Sequence, residues 1–447
     1  MTEKREDEGS GLKNEDNSNV SRNGFSIKPD GKTFTNYLTF WIGQLFSLMG
    51  SSITQFALIY WITVETESTF LLSLGNFLYL MPMAVILLIA GVFTDRWNRK
   101  LTIIVADTLQ AAVTIFIIIL FQFGYTDPVV IIIINSCRGV FQAFHTPTVN
   151  AIIPTMVPKD KLSRINGINA LFSGMVQIIA PMISATLVLF MPIQLVLWMD
   201  PLTYVVAMVP LLLISIPGVM NGEKEGEKRS FVRDFKVGFK TLVAVPGLLT
   251  MLLVAMIVNF MLTSYFVLSP FFILIVHEGN SIILALMQSF VNAGVIVGAL
   301  ITSLKKNWSR KALIYFIGEY MIILCIGAVA LTPLGFFPLI GIAMGLMGLI
   351  IPIINTIFQT VMQITVPPDK LGRVSSIDWA VSLAISPIGG LIAGALGEII
   401  IVNFIFLTTS IIAFVAVTLF WFLSGIRKVN YDDPALLEGV NERLNSF

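Results

Sequence analysis

The chain has 447 residues, of which 56% are hydrophobic and 12% charged, with a mean hydropathy of +0.86. Soluble globular chains carry roughly 25% charged residues, so this composition excludes an ordinary soluble domain. The net charge of +1 gives no electrostatic case for nucleic acid. Cys137 and Cys325 both fall in apolar runs, which argues against a disulfide framework or a metal pair.

Residues 1–32 are rich in Glu, Asn, Lys, Ser and Asp and lack an apolar core, predicting a disordered cytosolic tail without a cleavable signal. Twelve apolar runs follow, at 34–62, 70–93, 101–123, 128–153, 167–190, 193–216, 247–272, 281–304, 312–332, 336–361, 375–400 and 402–424. Runs of about 20 apolar residues mark membrane helices. Hydrocarbon offers no partner to a free peptide group, so each run is predicted to be a helix, giving an all-α membrane protein. All of the 28 Lys and Arg except Arg138 lie in the tails or in loops after even-numbered spans. The other loops carry Glu65, Glu67, Asp127 and Glu278. The positive-inside rule then places both termini in the cytosol of a multi-pass cell-membrane protein.

The long polar stretch 217–246 divides the spans six and six, and an amphipathic helix is predicted near Phe231–Val243. The organisation read from this is an N-terminal half over 33–216, a linker over 217–246, a C-terminal half over 247–424 and a cytosolic tail over 425–447. The halves repeat. Val157-Pro158-Lys159-Asp160-Lys161-Leu162 matches Val366-Pro367-Pro368-Asp369-Lys370-Leu371, and Trp97-Asn98-Arg99-Lys100 matches Trp308-Ser309-Arg310-Lys311 at nearly the same offset. A parallel six-plus-six repeat predicts a substrate site between the halves near the bilayer midplane.

Gly91-Val92-Phe93-Thr94-Asp95-Arg96-Trp97-Asn98-Arg99-Lys100 resembles the loop between helices 2 and 3 that marks the major facilitator superfamily. The run from Arg138 to Pro147, with Val157-Pro158, Trp198-Met199-Asp200 and Ala106-Asp107, is similar to the macrolide-efflux branch of drug:proton antiporters. The antiporter signature of helix 5 is met at Gly174 and Pro181, with Ser184-Ala185 where paired glycines stand in the family. The resemblance implies alternating access, with Gly91, Asp95, Arg96, Arg99 and Lys100 as a gating loop. For Arg310 and Lys311 the reading is topological. It further implies export of hydrophobic or amphipathic compounds by proton antiport. A lipid-like molecule or nutrient is the alternative cargo, and an intramembrane enzyme the remote alternative.

Four embedded charges are candidates for proton coupling: Asp107, Arg138, Asp200 and Glu319. A charge at the centre of a membrane helix costs roughly 2.5–3.5 kcal/mol on insertion scales, so each is expected to face protein or water. Arg138 is expected to serve coupling rather than folding, with Asp107 or Asp200 as its partner. Uncharged polar stripes mark the expected cavity wall: Gln44, Ser47, Ser51 and Gln55; Asn169, Ser173 and Gln177; Asn259 and Thr263; Gln288 and Asn292; Asn355 and Gln359; Ser382 and Ser386. Helical spacing puts each set on one side. His145 is read as structural, and Gly294-x-x-x-Gly298, Gly341-x-x-x-Gly345 and Gly390-x-x-x-Gly394 as packing motifs. Gly31-Lys32-Thr33 lacks the first glycine of a P-loop, His277-Glu278 lacks a second His, and no G-x-S-x-G elbow occurs. No cofactor, metal or catalytic site is expected. The expected partners are a small hydrophobic substrate, protons and the lipid bilayer, with the chain acting as a monomer.

Overall fold

The computed structural model describes residues 31–94, 97–216, 231–305, 307–433, 436 and 439–440; for Lys32 and residues 88–94, 231–234, 381, 383 and 384 it describes the backbone alone. Among these residues there are fourteen α-helices and no strand. Twelve stretches are long and apolar enough to cross a membrane. The N-terminal half comprises α1 (Gly31–Thr66), α2 (Thr69–Thr94), α3 (Arg99–Gln122), α4 (Pro128–Met156), α5 (Leu162–Phe190), α6 (Ile193–Leu197) and α7 (Met199–Leu213). The amphipathic helix of the linker is α8 (Phe231–Ala244). The C-terminal half comprises α9 (Leu248–Phe271), α10 (Ser281–Leu304), α11 (Lys311–Ala330), α12 (Phe337–Thr365), α13 (Pro368–Gly397) and α14 (Val402–Leu423).

Several helix starts are written locally. The Asn98 and Asn280 side chains accept from the backbone N–H of Leu101 and Ile283, and Asp127 accepts from Val129 and Val130 just ahead of Pro128. These are N-caps, each satisfying an amide that the first helical turn leaves free. Two predicted spans depart from a plain helix, and a proline accounts for each. The sixth is broken at Trp198, because Pro201 has no N–H and its ring displaces the carbonyl of Leu197. The break puts Asp200 in the first turn of α7, where the helix dipole favours an anion. The seventh passes into a π turn over Phe272–Val276, just beyond Pro270. The Phe266 carbonyl opposite Pro270 takes a hydrogen bond from the Ser269 hydroxyl at 2.9 Å. Helices α5 and α13 also start several residues before the predicted spans, since the chain stays helical through its polar first turns.

The repeat is geometric as well as verbal. Val157 and Val366 end α4 and α12 in extended conformation, and Pro158 and Pro367 share φ −55° and ψ 143°. Within the C-terminal half, α10 and α12 approach so closely that a Cβ on Gly294, Gly298 or Gly348 would stand 2.0–2.2 Å from a carbonyl oxygen of the facing helix. Large side chains such as Leu213, Leu304 and Phe190 stay exposed, as a lipid-facing surface requires.

With twelve spans, the start of α1 and the end of α14 lie on one face of the bundle, here the terminal face; the other is the distal face. The halves meet mainly along α2 with α13 and α5 with α10. These contacts run to the distal ends. Ser281 Oγ donates to Ala185 O at 2.9 Å, and a Cβ on Gly394 would stand 2.0 Å from Ser73 Oγ. Glu398, just past the end of α13, accepts from Ser68 Oγ at 2.6 Å and from the Phe70 N–H at 2.8 Å. It thereby caps the start of α2 across the divide. These bonds hold its carboxyl below the ordinary carboxylate range.

Candidate functional site

A cavity of about 300 Å³ lies within the N-terminal half, with Gln44, Ser47 and Ser51 of α1, Asp107 of α3, His145 of α4 and Asn169 and Ser173 of α5 in its wall. Asp200 of α7 reaches it as well. The acids of α3 and α7 both project into this wall. Asp200 is fully engaged: Ser51 Oγ donates to Oδ1 at 2.6 Å, Thr114 Oγ1 donates to Oδ2 at 2.6 Å, and Arg138 Nη2 stands 3.2 Å from Oδ2. Arg138 and Asp200 are 4% and 5% exposed. The lone embedded cation therefore has its partner, one of the two acids left open by the sequence.

Asp107 is held differently. His145 Nε2 lies 3.2 Å from Oδ1, Gln44 Nε2 donates to Oδ2 at 3.3 Å, and Gln44 Oε1 is 3.1 Å from the same imidazole nitrogen. Three helices thus meet around one carboxyl through long, loosely shared bonds. The opposite imidazole nitrogen, Nδ1, is buried without a partner. His145 was read as structural from sequence. The signal that could have placed it here is its spacing of two helical turns from Arg138, which puts both on one face of α4.

The remaining polar stripes fall into two further spaces. Gln55, Thr263, Gln288 and Ser386 line a cavity of about 390 Å³ between the halves toward the distal side. Asn259, Asn355, Gln359, Ser382 and Glu319 line another of about 390 Å³ within the C-terminal half. Gln177 and Asn292 meet each other where α5 crosses α10, with Asn292 Nδ2 3.3 Å from Gln177 O. Glu319 therefore stands well apart from the other three embedded charges, on the opposite half.

The signature loop is seen in part. Gly91 lies in α2, while Asp95 and Arg96 lie outside the described residues. Arg99 Nη1 donates to Ala151 O of α4 at 2.9 Å. Lys100 Nζ donates to Leu212 O and Ile214 O at 2.8 and 2.7 Å, placing a cation on the C-terminal end of α7. Among the described residues, no group of three or more His, Cys, Asp or Glu could hold a metal ion.

Two six-helix bundles with polar cavities inside and between them, and ion pairs in a cavity wall, define the architecture of a membrane transporter. A family model described as Major Facilitator Superfamily matches residues 40–382. The chain belongs to the Major Facilitator Superfamily. It is 26% identical over 394 residues to Macrolide efflux protein A of Streptococcus pyogenes, covering 88% of this chain and 97% of that protein. A protein of the same name from Enterococcus faecalis is 25% identical over 309 residues, covering 69% and 95%. The crystal structure of a bacterial homolog of the human lysosomal transporter Spinster, inward-facing and occupied, aligns with a TM-score of 0.63 at 15% identity, over 89% of this chain and 98% of that one. That last likeness shows the fold alone.

Proposed function

We propose that the chain exports hydrophobic or amphipathic small molecules, macrolide-like drugs among them, by proton antiport in the cell membrane, acting as a monomer. The terminal face is cytosolic in this reading, because it carries the basic loops. The contacts along the distal ends of the halves then close the outer side, and the halves rock about the central space. The loop around Asp95, with Arg96, would close the cytosolic side in the alternate state. Relatives named as macrolide efflux proteins support the cargo class.

The observation that carries the coupling is the setting of Asp107. An exporter driven by protons needs a group that gains a proton facing outward and loses it facing inward. Asp107 lies in a cavity wall and is shared by α1, α3 and α4 through Gln44 and His145. Protonation removes the charge that holds those two side chains against it, so the two states tie the three helices differently. The Arg138–Asp200 pair supplies a fixed dipole beside this switch. Asp200 has three donors, so it is the poorer proton carrier of the two.

The test uses inside-out vesicles with an acidic lumen, in which export appears as accumulation of a radiolabelled macrolide. Accumulation should follow the pH gradient and be lost in Asp107→Asn, with macrolide binding retained. Equal accumulation in Asp107→Asn would remove Asp107 from the mechanism. If an efflux-deficient host expressing the chain shows unchanged susceptibility to every hydrophobic drug on a broad panel, the cargo is instead a lipid-like molecule or nutrient.

A further inference from the structure

Glu319 has no place in the N-terminal switch, and its surroundings are of another kind. It is 2% exposed, and its Oε2 is buried without a hydrogen-bond partner. Tyr315, one turn earlier, donates its hydroxyl to Met251 O at 3.0 Å and also lies within hydrogen-bond reach of the Glu319 carboxyl, so only Oε2 is left without a partner. The adjoining cavity of about 390 Å³ holds a second carboxyl, Asp378, together with Asn259, Asn355, Gln359 and the indole of Trp379. Among the described residues, no basic side chain is in its wall. Lys311, two turns before Glu319 on α11, is engaged by Asp432. The contrast with the N-terminal cavity is direct. There each acid faces a base, Arg138 or His145.

A buried carboxylate oxygen with no donor is costly unless the carboxyl takes up a proton or a ligand supplies a donor or a positive charge. Two carboxyls without a base favour a cation. The space is of the size that takes an organic group, since ligand pockets run to about 300–1,000 Å³. Tyr315, Phe358 and Trp379 add aromatic faces, which attract alkylated or arylated cations that a bare metal ion would not need. We infer that the C-terminal cavity is a subsite for the cationic group of an amphipathic substrate, a protonated tertiary amine or similar lipophilic monocation, with Glu319 as its counter-charge and Asp378 at the cavity's other wall. This rests on the export reading and narrows its substrate class to lipophilic monocations.

The experiment measures binding to the full-length chain in lipid nanodiscs, with tetraphenylphosphonium as the cation and triphenylphosphine oxide as an uncharged probe of similar bulk. Wild-type protein should bind the cation in preference to the neutral probe. Glu319→Gln should weaken cation binding by about tenfold or more, as loss of a close counter-charge does, and leave the neutral probe unaffected. Asp378→Asn, kept as a second variant in case Glu319→Gln does not fold, should weaken the cation selectively but less. Equal cation affinity in wild type and in both variants overturns the inference. Competitive displacement of tetraphenylphosphonium by sodium but not by choline overturns it in favour of an inorganic cation. Selective cation binding without gradient-driven macrolide accumulation would leave this subsite standing and remove the antiport reading. Macrolide accumulation with no cation binding would do the reverse.

Discussion

Glu398 offers the sharpest handle on the conformational cycle. Its carboxylate accepts from Ser68 Oγ, from the Phe70 amide and, at 3.3 Å, from Thr69 Oγ1. All three donors belong to the other half, so the bonds exist only while the distal ends are together. Charge-assisted hydrogen bonds are worth about 1.5–3 kcal/mol each when sheltered, but Glu398 is solvent-exposed and its bonds are screened. A net contribution of roughly 1–2 kcal/mol to the distal seal is reasonable, which corresponds to a factor of about 5–30 in the closed-to-open ratio. The assay follows alkylation of Asn76→Cys, in a background with Cys137 and Cys325 changed to serine, by an impermeant thiol reagent added from the distal side. Asn76 lines the cavity beneath the seal. Glu398→Ala should raise the labelling rate by about 5–30-fold, and Glu398→Gln, which keeps an acceptor but loses the charge, by less. Adding Ser68→Ala to Glu398→Ala should change little more, because both remove one interaction. Since the native contact holds the Glu398 carboxyl below its ordinary range, its stabilising effect is complete at neutral pH. That effect is lost only as pH falls through the depressed value. The rate in wild type should therefore stay flat from neutral pH down to about 5. An unchanged rate in Glu398→Ala, or a seal that loosens between pH 7 and about 5, refutes this account.

Arg138→Ala should lower the thermal midpoint in detergent by the equivalent of about 3–5 kcal/mol, because it leaves Asp200 as a buried charge; adding Asp200→Asn should recover part of the loss. Gly348→Val places a side chain where even a Cβ would be 2.0 Å from Val291 O, so α10 and α12 must part; recovery of folded protein should drop sharply, with Gly372→Val, in open space, near wild type. His277, just beyond the π turn, is buried and its pKa is lowered by that burial, while its Nδ1 accepts from the Gly335 N–H at 3.2 Å. Its folded pKa lies below the unfolded one, so its contribution is complete above about pH 6.5 and is lost as pH falls through the folded value. Thermal stability of wild type should thus fall more in mild acid than that of His277→Asn.

The twelve spans were legible because hydropathy is a property of each segment by itself. The break at Trp198 was legible in principle, since Pro201 announces it, but continuous apolar residues on both sides concealed it. Arg138 stood out as the one cation away from the basic loops, and its two possible partners could be named. Which acid it meets depends on how α3, α4 and α7 rotate against one another, and single-chain periodicity carries no information about that. Glu398 could not have been found. It lies 330 residues from Ser68 and falls inside the eleventh predicted span, 375–400, whereas the structure ends α13 at Gly397 and leaves it in an exposed turn. Such an acid becomes a latch only through the approach of two helices, here set by Gly394 and Gly397 against α2 and by Gly390 against α9.

The matched loops explain why motion would fall between the halves rather than within them. Lys100 and Lys311 occupy equivalent places in the repeat, ahead of the third helix of each half. Lys100 binds carbonyls at the end of α7, the sixth span. Lys311 engages Asp432, nine residues past the end of α14, the twelfth span. Each lysine thus fastens the second loop of its half to the end of that half's last helix, a tie that the topological reading of Lys311 did not anticipate. The C-terminal half is fastened again by Tyr431, whose hydroxyl donates to Pro246 O at 2.9 Å ahead of α9. Dense glycine-mediated packing of α10 on α12 stiffens it further. Between the halves the close contact rests on small residues and a few hydrogen bonds, some buried and some exposed, and burying apolar side chains there gains little against lipid. On the proposed antiport reading, the direction that separates Glu398 from Ser68 is the one along which a change of charge at Asp107 would act.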